Sequence, residues 1–203
     1  MTDHRKALLD LIAQHSFRLG DFVLSSGARS DYYIDCRTTT LHAEGGRLAG
    51  LVLYDLVREH KLNPAAVGGL TMGADPLVSN IASASAWYRA EHPETPLTEA
   101  PLLHGFLVRK AEKAHGTGRR VEGFCQAGAR VVIVDDVCTT GASTINAIGA
   151  AREAGMQVVG VLCLVDRQEQ NGRAAVEAAA QGAPFFALFT AADVRAAHLA
   201  LPR

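Results

Sequence analysis

The chain has 203 residues, a length that suits one domain. Apolar residues make up 48%, enough to bury a sizeable core, and 20 Lys plus Arg balance 21 Asp plus Glu for a net charge of -1. That balance argues against wholesale binding to nucleic acid or a membrane, which calls for a basic excess. The interest is local: Lys6, Lys61, Lys110 and Lys113 are the only lysines, and the last two lie in one short stretch.

The four cysteines, Cys36, Cys125, Cys138 and Cys163, form no C-x-x-C pair and no zinc-ligand spacing with histidine. The first 19 residues lack the long apolar core of a signal peptide. No uncharged apolar run approaches the roughly 18 residues of a membrane-spanning helix. The expectation is a cytoplasmic protein with reduced thiols.

Taken in chain order, residues 3–15 carry Leu8, Leu9, Leu11 and Ile12 on an amphipathic helix, with Gly20 expected to close it. Strands are predicted at 22–24 and 32–36 around the turn Ser25-Ser26-Gly27-Ala28. A Leu- and Val-rich helix is predicted at 44–60 and a short buried strand at 66–70. Asp75-Pro76 reads as an N-cap and first helical residue, opening a helix to about Ala90. Three prolines make 91–101 a loop, followed by a strand at 102–108. The polar stretch 109–118, with Gly116 and Gly118, is expected to be a mobile loop. The unbroken β-branched run at 130–134 reads as a strand buried on both faces. A helix at 141–154 capped by Gly155, a strand at 157–165, a helix at 172–181, a strand at 184–189 and a helix at 191–199 complete the chain. Strands alternating with helices predict an α/β fold with a mostly parallel central sheet flanked by helices. The first 40 residues differ, a helix and hairpin expected to form a small hood over the sheet.

The strongest local signal is the run from Val131 to Ser143, in which a buried strand ends in Asp135-Asp136. After Val137, Cys138, Thr139 and Thr140 the chain enters a helix through Gly141, Ala142 and Ser143. Backbone N–H groups at a helix N-terminus, joined by three hydroxyls, suit a phosphate. Gly141 permits close backbone approach. The two acids would repel that phosphate, so they serve either vicinal sugar hydroxyls or a divalent cation. Ligands of open α/β sheets bind at the carboxyl ends of strands. Neither a P-loop nor G-x-G-x-x-G is present.

The segment Val134-Asp135-Asp136-Val137-Cys138-Thr139-Thr140-Gly141 resembles the phosphoribosyl pyrophosphate (PRPP) signature of type I phosphoribosyltransferases. The resemblance implies a single phosphoribosyltransferase domain over 1–203 and a PRPP-binding run from Asp135 to Ser143 that includes Val137 and Cys138, with Thr139 to Ser143 on the 5′-phosphate and Asp135 and Asp136 on the ribose hydroxyls. Arg109-Lys110-Ala111-Glu112-Lys113-Ala114-His115-Gly116 resembles the catalytic loop of orotate phosphoribosyltransferases. That resemblance implies that Arg109, Lys110, Lys113 and His115 close over pyrophosphate, reaching the partner subunit's site in a homodimer. Asp166-Arg167-Gln168-Glu169 is similar to a segment of the same family whose arginine binds the base, which would set Arg167 on the orotate carboxylate. Phe22 to Asp35 resembles the family's hood, with Ser26, Tyr32 and Tyr33 lining the base site, to which Thr139 is also assigned.

Two positions depart from the pattern. Ser25 stands where many members have lysine, and Leu70-Thr71-Met72-Gly73 lacks a second one. Backbone N–H groups around Met72 and Gly73 are then expected on pyrophosphate, with Arg109, Lys110 and Lys113 supplying the charge. The resemblance implies transfer of ribose 5-phosphate from PRPP to N1 of orotate with Mg²⁺. Lys113, Arg109 and Asp136 are its expected catalytic residues, and Asp135 a water-mediated metal contact. The alternatives are a purine phosphoribosyltransferase on the same fold and a non-catalytic PRPP-sensing regulator. Arg167 argues against the first, since purines carry no carboxylate; the near-zero net charge argues against the second. Cys138 is expected to pack.

Overall fold

The computed structural model of the chain describes residues 3–23, 27, 29–110 and 120–202. Helix α1 (Asp3–His15) leads into an antiparallel hairpin of β1 (Phe17–Val23) and β2 (Arg29–Ile34). A single turn, α2 (Arg37–Thr40), precedes α3 (Ala43–Glu59), and β3 (Ala66–Leu70) precedes α4 (Asp75–Glu91). Then come β4 (His104–Val108), β5 (Val121–Gly123), β6 (Arg130–Cys138), α5 (Ala142–Glu153), β7 (Gln157–Asp166), α6 (Gly172–Ala180), β8 (Phe185–Thr190) and α7 (Ala191–Leu199). The main sheet has the order β5-β4-β3-β6-β7-β8, parallel except for β5. This is the mostly parallel α/β architecture that the alternation predicts.

Both faces of the sheet are covered, which explains the unbroken apolar run in β6. Val132 and Val134 pack with residues of α1, α3 and α4, whereas Val131 and Ile133 pack with residues of α5 and α6. Successive strand residues point to opposite faces, so a run buried on both sides needs no polar alternation. Each such side chain contributes about 1.5–3 kcal/mol on burial. The hairpin is a separate two-stranded sheet. It is braced internally by Phe17 stacked on Tyr32 and tied to α7 by an ion pair between Asp31 and Arg195 at 2.7 Å.

Several boundaries differ from the expectations. Gly20 does not cap α1; it lies inside β1, because buried Phe17 already pairs with Ile34 and starts the strand early. The cap of α4 is Ala74, with Asp75 in its first turn. The sequence pattern misses α2 and β5, which are four and three residues long, too short for a periodic signal. β6 continues through both acids to Cys138, four residues beyond the β-branched run, because it still pairs with β7 there.

Candidate active site

The parallel strands all deliver their carboxyl ends to one edge of the sheet, the usual ligand edge of such folds. A cleft of about 870 Å³ opens there. Tyr33, Ile34, Asp35 and Arg37 come to it from the hairpin side, and Leu70 to Gly73 from the end of β3. Leu107, Arg109, Lys110 and Glu122 line it beside β4, Asp135, Asp136 and Val137 beside β6, and Ser143 from the first turn of α5.

The two acids lie on a strand and therefore part company. Asp135 turns inward and is 5% exposed. Its Oδ2 accepts from Thr144 Oγ1 at 2.5 Å and its Oδ1 from the Asp136 N–H at 3.1 Å. Asp136 is half-buried and accepts from the Val137 N–H at 3.0 Å. Its carboxylate lies against Gly73, where a Cβ would come within 2.5 Å of Oδ1, so only glycine leaves it room. Both carboxyls are pushed above the ordinary carboxylate range, Asp135 by burial and then by the charge of Asp136, and Asp136 chiefly by burial.

At the entry to α5, Gly141 adopts the left-handed conformation with φ 76°. Thr140 Oγ1 accepts from the Ala142 N–H at 3.3 Å, and Ala142 and Ser143 are exposed. The first turn of α5 is thus open to solvent, where its N-terminal N–H groups suit an anion. Thr139 is half-buried. Cys138 is not turned to this cradle: its thiol is buried in the core beside α5 and pushed up to about 12 by burial and then by the charge of Asp166. That is the packing role expected for it.

On the far side of β3, Arg109 meets Glu122 at 3.4 Å and Lys110 is exposed. The Arg109 N–H donates to the Arg120 carbonyl at 2.9 Å, which brings both ends of the basic segment together. Lys113 and His115 lie outside the described residues, as does Ser26.

Tyr32 and Tyr33, adjacent on β2, part in the same way as the two acids. Tyr33 is exposed and lines the cleft, whereas Tyr32 is buried beneath Arg167. The guanidinium stands 4.4 Å from the Tyr32 ring centroid, and its side chain is only 3% exposed. It donates to Glu169 at 3.2 and 3.3 Å and to Ser30 Oγ at 3.2 Å. The Tyr32 hydroxyl also donates to Glu169, at 2.5 Å, and its pKa is pushed up to about 12 by burial and by that bond. Arg167 is therefore already committed to a carboxylate of its own chain.

Sequence reasoning missed Asp35 and Arg37 as cleft residues. Arg37 Nε and Nη2 donate side-on to Asp35 Oδ1 and Oδ2, each at 2.8 Å. The available signal was the acid-x-arginine spacing directly after an aromatic strand.

A profile of the phosphoribosyl transferase domain matches residues 52–175. The orotate phosphoribosyltransferase of Aquifex aeolicus (strain VF5) is 40% identical over 193 residues, covering 94% of this chain and 97% of its own. The orotate phosphoribosyltransferase of Mycobacterium tuberculosis H37Rv, solved with Fe(III) dicitrate, superposes with a TM-score of 0.75 at 36% identity, covering 94% of this chain and 98% of that one. The same enzyme solved with PRPP gives a TM-score of 0.70 at 29% identity, covering 96% and 93%. With most of both chains aligned and the acid pair lying at the strand ends, the chain belongs to the phosphoribosyltransferase family. Its relatives at this level of identity set it among the orotate phosphoribosyltransferases of that family.

Proposed function

We propose that the cleft binds PRPP and orotate and forms orotidine 5′-monophosphate and pyrophosphate. The observation that carries this reading is the meeting, on one strand-end edge, of the α5 anion cradle, the acids Asp135 and Asp136, and the cations Arg109 and Lys110. In it the N–H groups and hydroxyls from Thr139 to Ser143 hold the 5′-phosphate. Asp136 faces the ribose hydroxyls. Asp135 acts from behind, its carboxylate already spoken for by Thr144. Orotate lies against Tyr33, with its carboxylate taking over the Arg167 guanidinium from Glu169.

The base is anionic before it reacts, so no strong general base is required. The costly event is separation of the anomeric carbon from pyrophosphate, and positive charge placed around the departing group lowers that barrier. Arg109, Lys110 and Lys113 supply this charge, and one such contact is worth about 2.7–4 kcal/mol. Closing the 109–118 segment would exclude water that could otherwise hydrolyse PRPP.

The residues also fit Mg²⁺. Among the described residues no group of three or more His, Cys, Asp or Glu side chains forms a cage. Such a cation would be held mainly by phosphate oxygens and water, with Asp135, whose Oδ2 already accepts from Thr144, as a water-mediated contact. When bound, it neutralises charge on the pyrophosphate oxygens.

We further propose a homodimer in which the basic segment of one protomer serves the cleft of its partner, acting in the cytoplasm. Four free cysteines agree with a reducing compartment. No described helix is long and apolar enough to cross a membrane.

Loss of orotate absorbance in the presence of PRPP and Mg²⁺ tests the reaction. Consumption of hypoxanthine or adenine but not orotate would indicate a purine enzyme, and no turnover with any base a PRPP-binding regulator. Chelation should abolish turnover and added Mg²⁺ restore it. Mixing the Asp136→Asn and Lys113→Ala proteins tests the partner's role. Mixed dimers regain one intact site only if the basic segment acts across the interface.

A further inference from the structure

A departing pyrophosphate needs fixed positive charge, yet Ser25 and the segment 70–73 offer none. The 5′-phosphate has the α5 N-terminus and the orotate carboxylate has Arg167. The third anionic group is left with the basic segment after β4 unless the near wall of the cleft supplies a cation.

Arg37 meets that need. It follows β2 directly and lines the same cleft as Thr71, Met72, Gly73 and Asp136. Asp35 grips it side-on through Nε and Nη2, each at 2.8 Å, and also accepts the Arg37 backbone N–H at 3.1 Å. That three-point hold fixes the plane of the guanidinium before any ligand arrives, which lowers the ordering cost of binding. Nη1 has no partner among the described residues, and the side chain keeps 43% of its surface open. The charges of Asp35 and Asp136 both strengthen its hold on the proton, so it is a permanent cation. Arginine presents a planar fork that suits phosphate oxygens better than a point charge does.

We propose that Arg37 is a substrate-binding residue for the pyrophosphate part of PRPP and for the pyrophosphate product, using the guanidinium edge that Asp35 leaves free. On this assignment the near wall carries its cation on α2 rather than at position 25 or in the segment 70–73. It rests on the reading that this cleft takes PRPP.

The experiment is calorimetric titration of inorganic pyrophosphate with Mg²⁺ into the parent, Arg37→Ala and Arg37→Lys proteins, beside steady-state kinetics in both substrates. Arg37→Ala should weaken pyrophosphate binding and raise the PRPP KM by tenfold or more, with the orotate KM changed less than threefold. Arg37→Lys should fall between, keeping charge but losing the fork. Should the alanine variant fail to fold by circular dichroism, Arg37→Lys and Asp35→Asn carry the same comparison. Pyrophosphate affinity within twofold of the parent, or equal losses for PRPP and orotate, would overturn the assignment and leave Arg37 as a brace for Asp35. Failure of the parent itself to bind pyrophosphate would instead overturn the cleft reading, and this assignment with it.

Discussion

In the open cleft, Lys110 is exposed and Arg37 keeps one amino group without a partner among the described residues. Around Arg167, the residue directly after β7, the guanidinium is enclosed by Glu169, Ser30 and the Tyr32 ring. An anion reaching the cleft meets the exposed Lys110 and the open edge of Arg37 directly, beside the acids Asp35, Glu122 and Asp136 that share the lining. An anion reaching Arg167 must exchange with a carboxylate already there. The difference follows from burial: a charge held in water costs little, whereas an enclosed one must be paired to be tolerated at all. Glu169 thus pairs the buried guanidinium, and on the proposed reading it would compete with the base for that arginine.

The largest expected effect comes from the cleft. Asp136→Asn keeps the shape and the fit against Gly73 but removes the charge proposed to face the ribose, and kcat should fall about 10²–10³-fold. Steady-state kinetics checks this, and a loss below tenfold would move the working acid elsewhere. Arg167→Lys should act on orotate alone. Losing the bidentate fork should weaken orotate binding by about 1.5–3 kcal/mol. Pyrophosphate affinity should stay near the parent value. Equal effects on both ligands would erase the distinction between the two regions.

Glu169→Gln sharpens it in the other direction. The amide competes less for the guanidinium, so the orotate KM should fall several-fold. The buried arginine then lacks a counter-charge in the free protein, which should lose about 1–3 kcal/mol of stability. Thermal unfolding with and without saturating orotate reads both effects, and the stabilisation by orotate should exceed that of the parent. A rise in orotate KM would mean that Glu169 helps to present Arg167 and does not compete for it.

Much of this was legible in the sequence because it depends on local chemistry. The β-branched run at 131–134, the hydroxyl-rich entry to α5 and the strand of residues 66–70 each follow from short-range rules, and the α/β alternation follows from their spacing. Partition between neighbours was not legible. Asp135 and Asp136, like Tyr32 and Tyr33, are adjacent and chemically alike, yet one of each pair is buried and its neighbour is more exposed. Strand alternation says that they must differ, but which one turns inward is decided by partners outside the strand: Thr144 on α5 for Asp135, and the sequence-distant Arg167 with Glu169 for Tyr32. Arg37 escaped notice for a related reason. Its one-turn helix has no periodicity, and its place in the cleft depends on the hairpin folding toward the ends of β3 and β6.

The smallest expected effect separates the two acids themselves. Burial and the neighbouring charge raise the Asp135 carboxyl above its ordinary value, so the folded chain holds a proton that the unfolded chain releases at lower pH. The folded state therefore binds more protons, and stability declines as pH rises from about 4 through the raised value. Below that window the penalty is absent; above it the penalty is complete. Asp135→Asn removes it without emptying the site. The amide oxygen can still accept from the Asp136 N–H, and the amide NH₂ can donate to the Thr144 hydroxyl, which merely reverses one bond. The variant should show a flatter dependence of stability on pH between 5 and 8, with a gain over the parent of about 1–2 kcal/mol at the upper end. Denaturant unfolding at each pH reads this directly. Asp136→Asn, whose carboxylate is half-buried beside Gly73, should flatten the same curve less. Parallel curves for Asp135→Asn and the parent would mean that Asp135 titrates normally and that its burial is relieved by water.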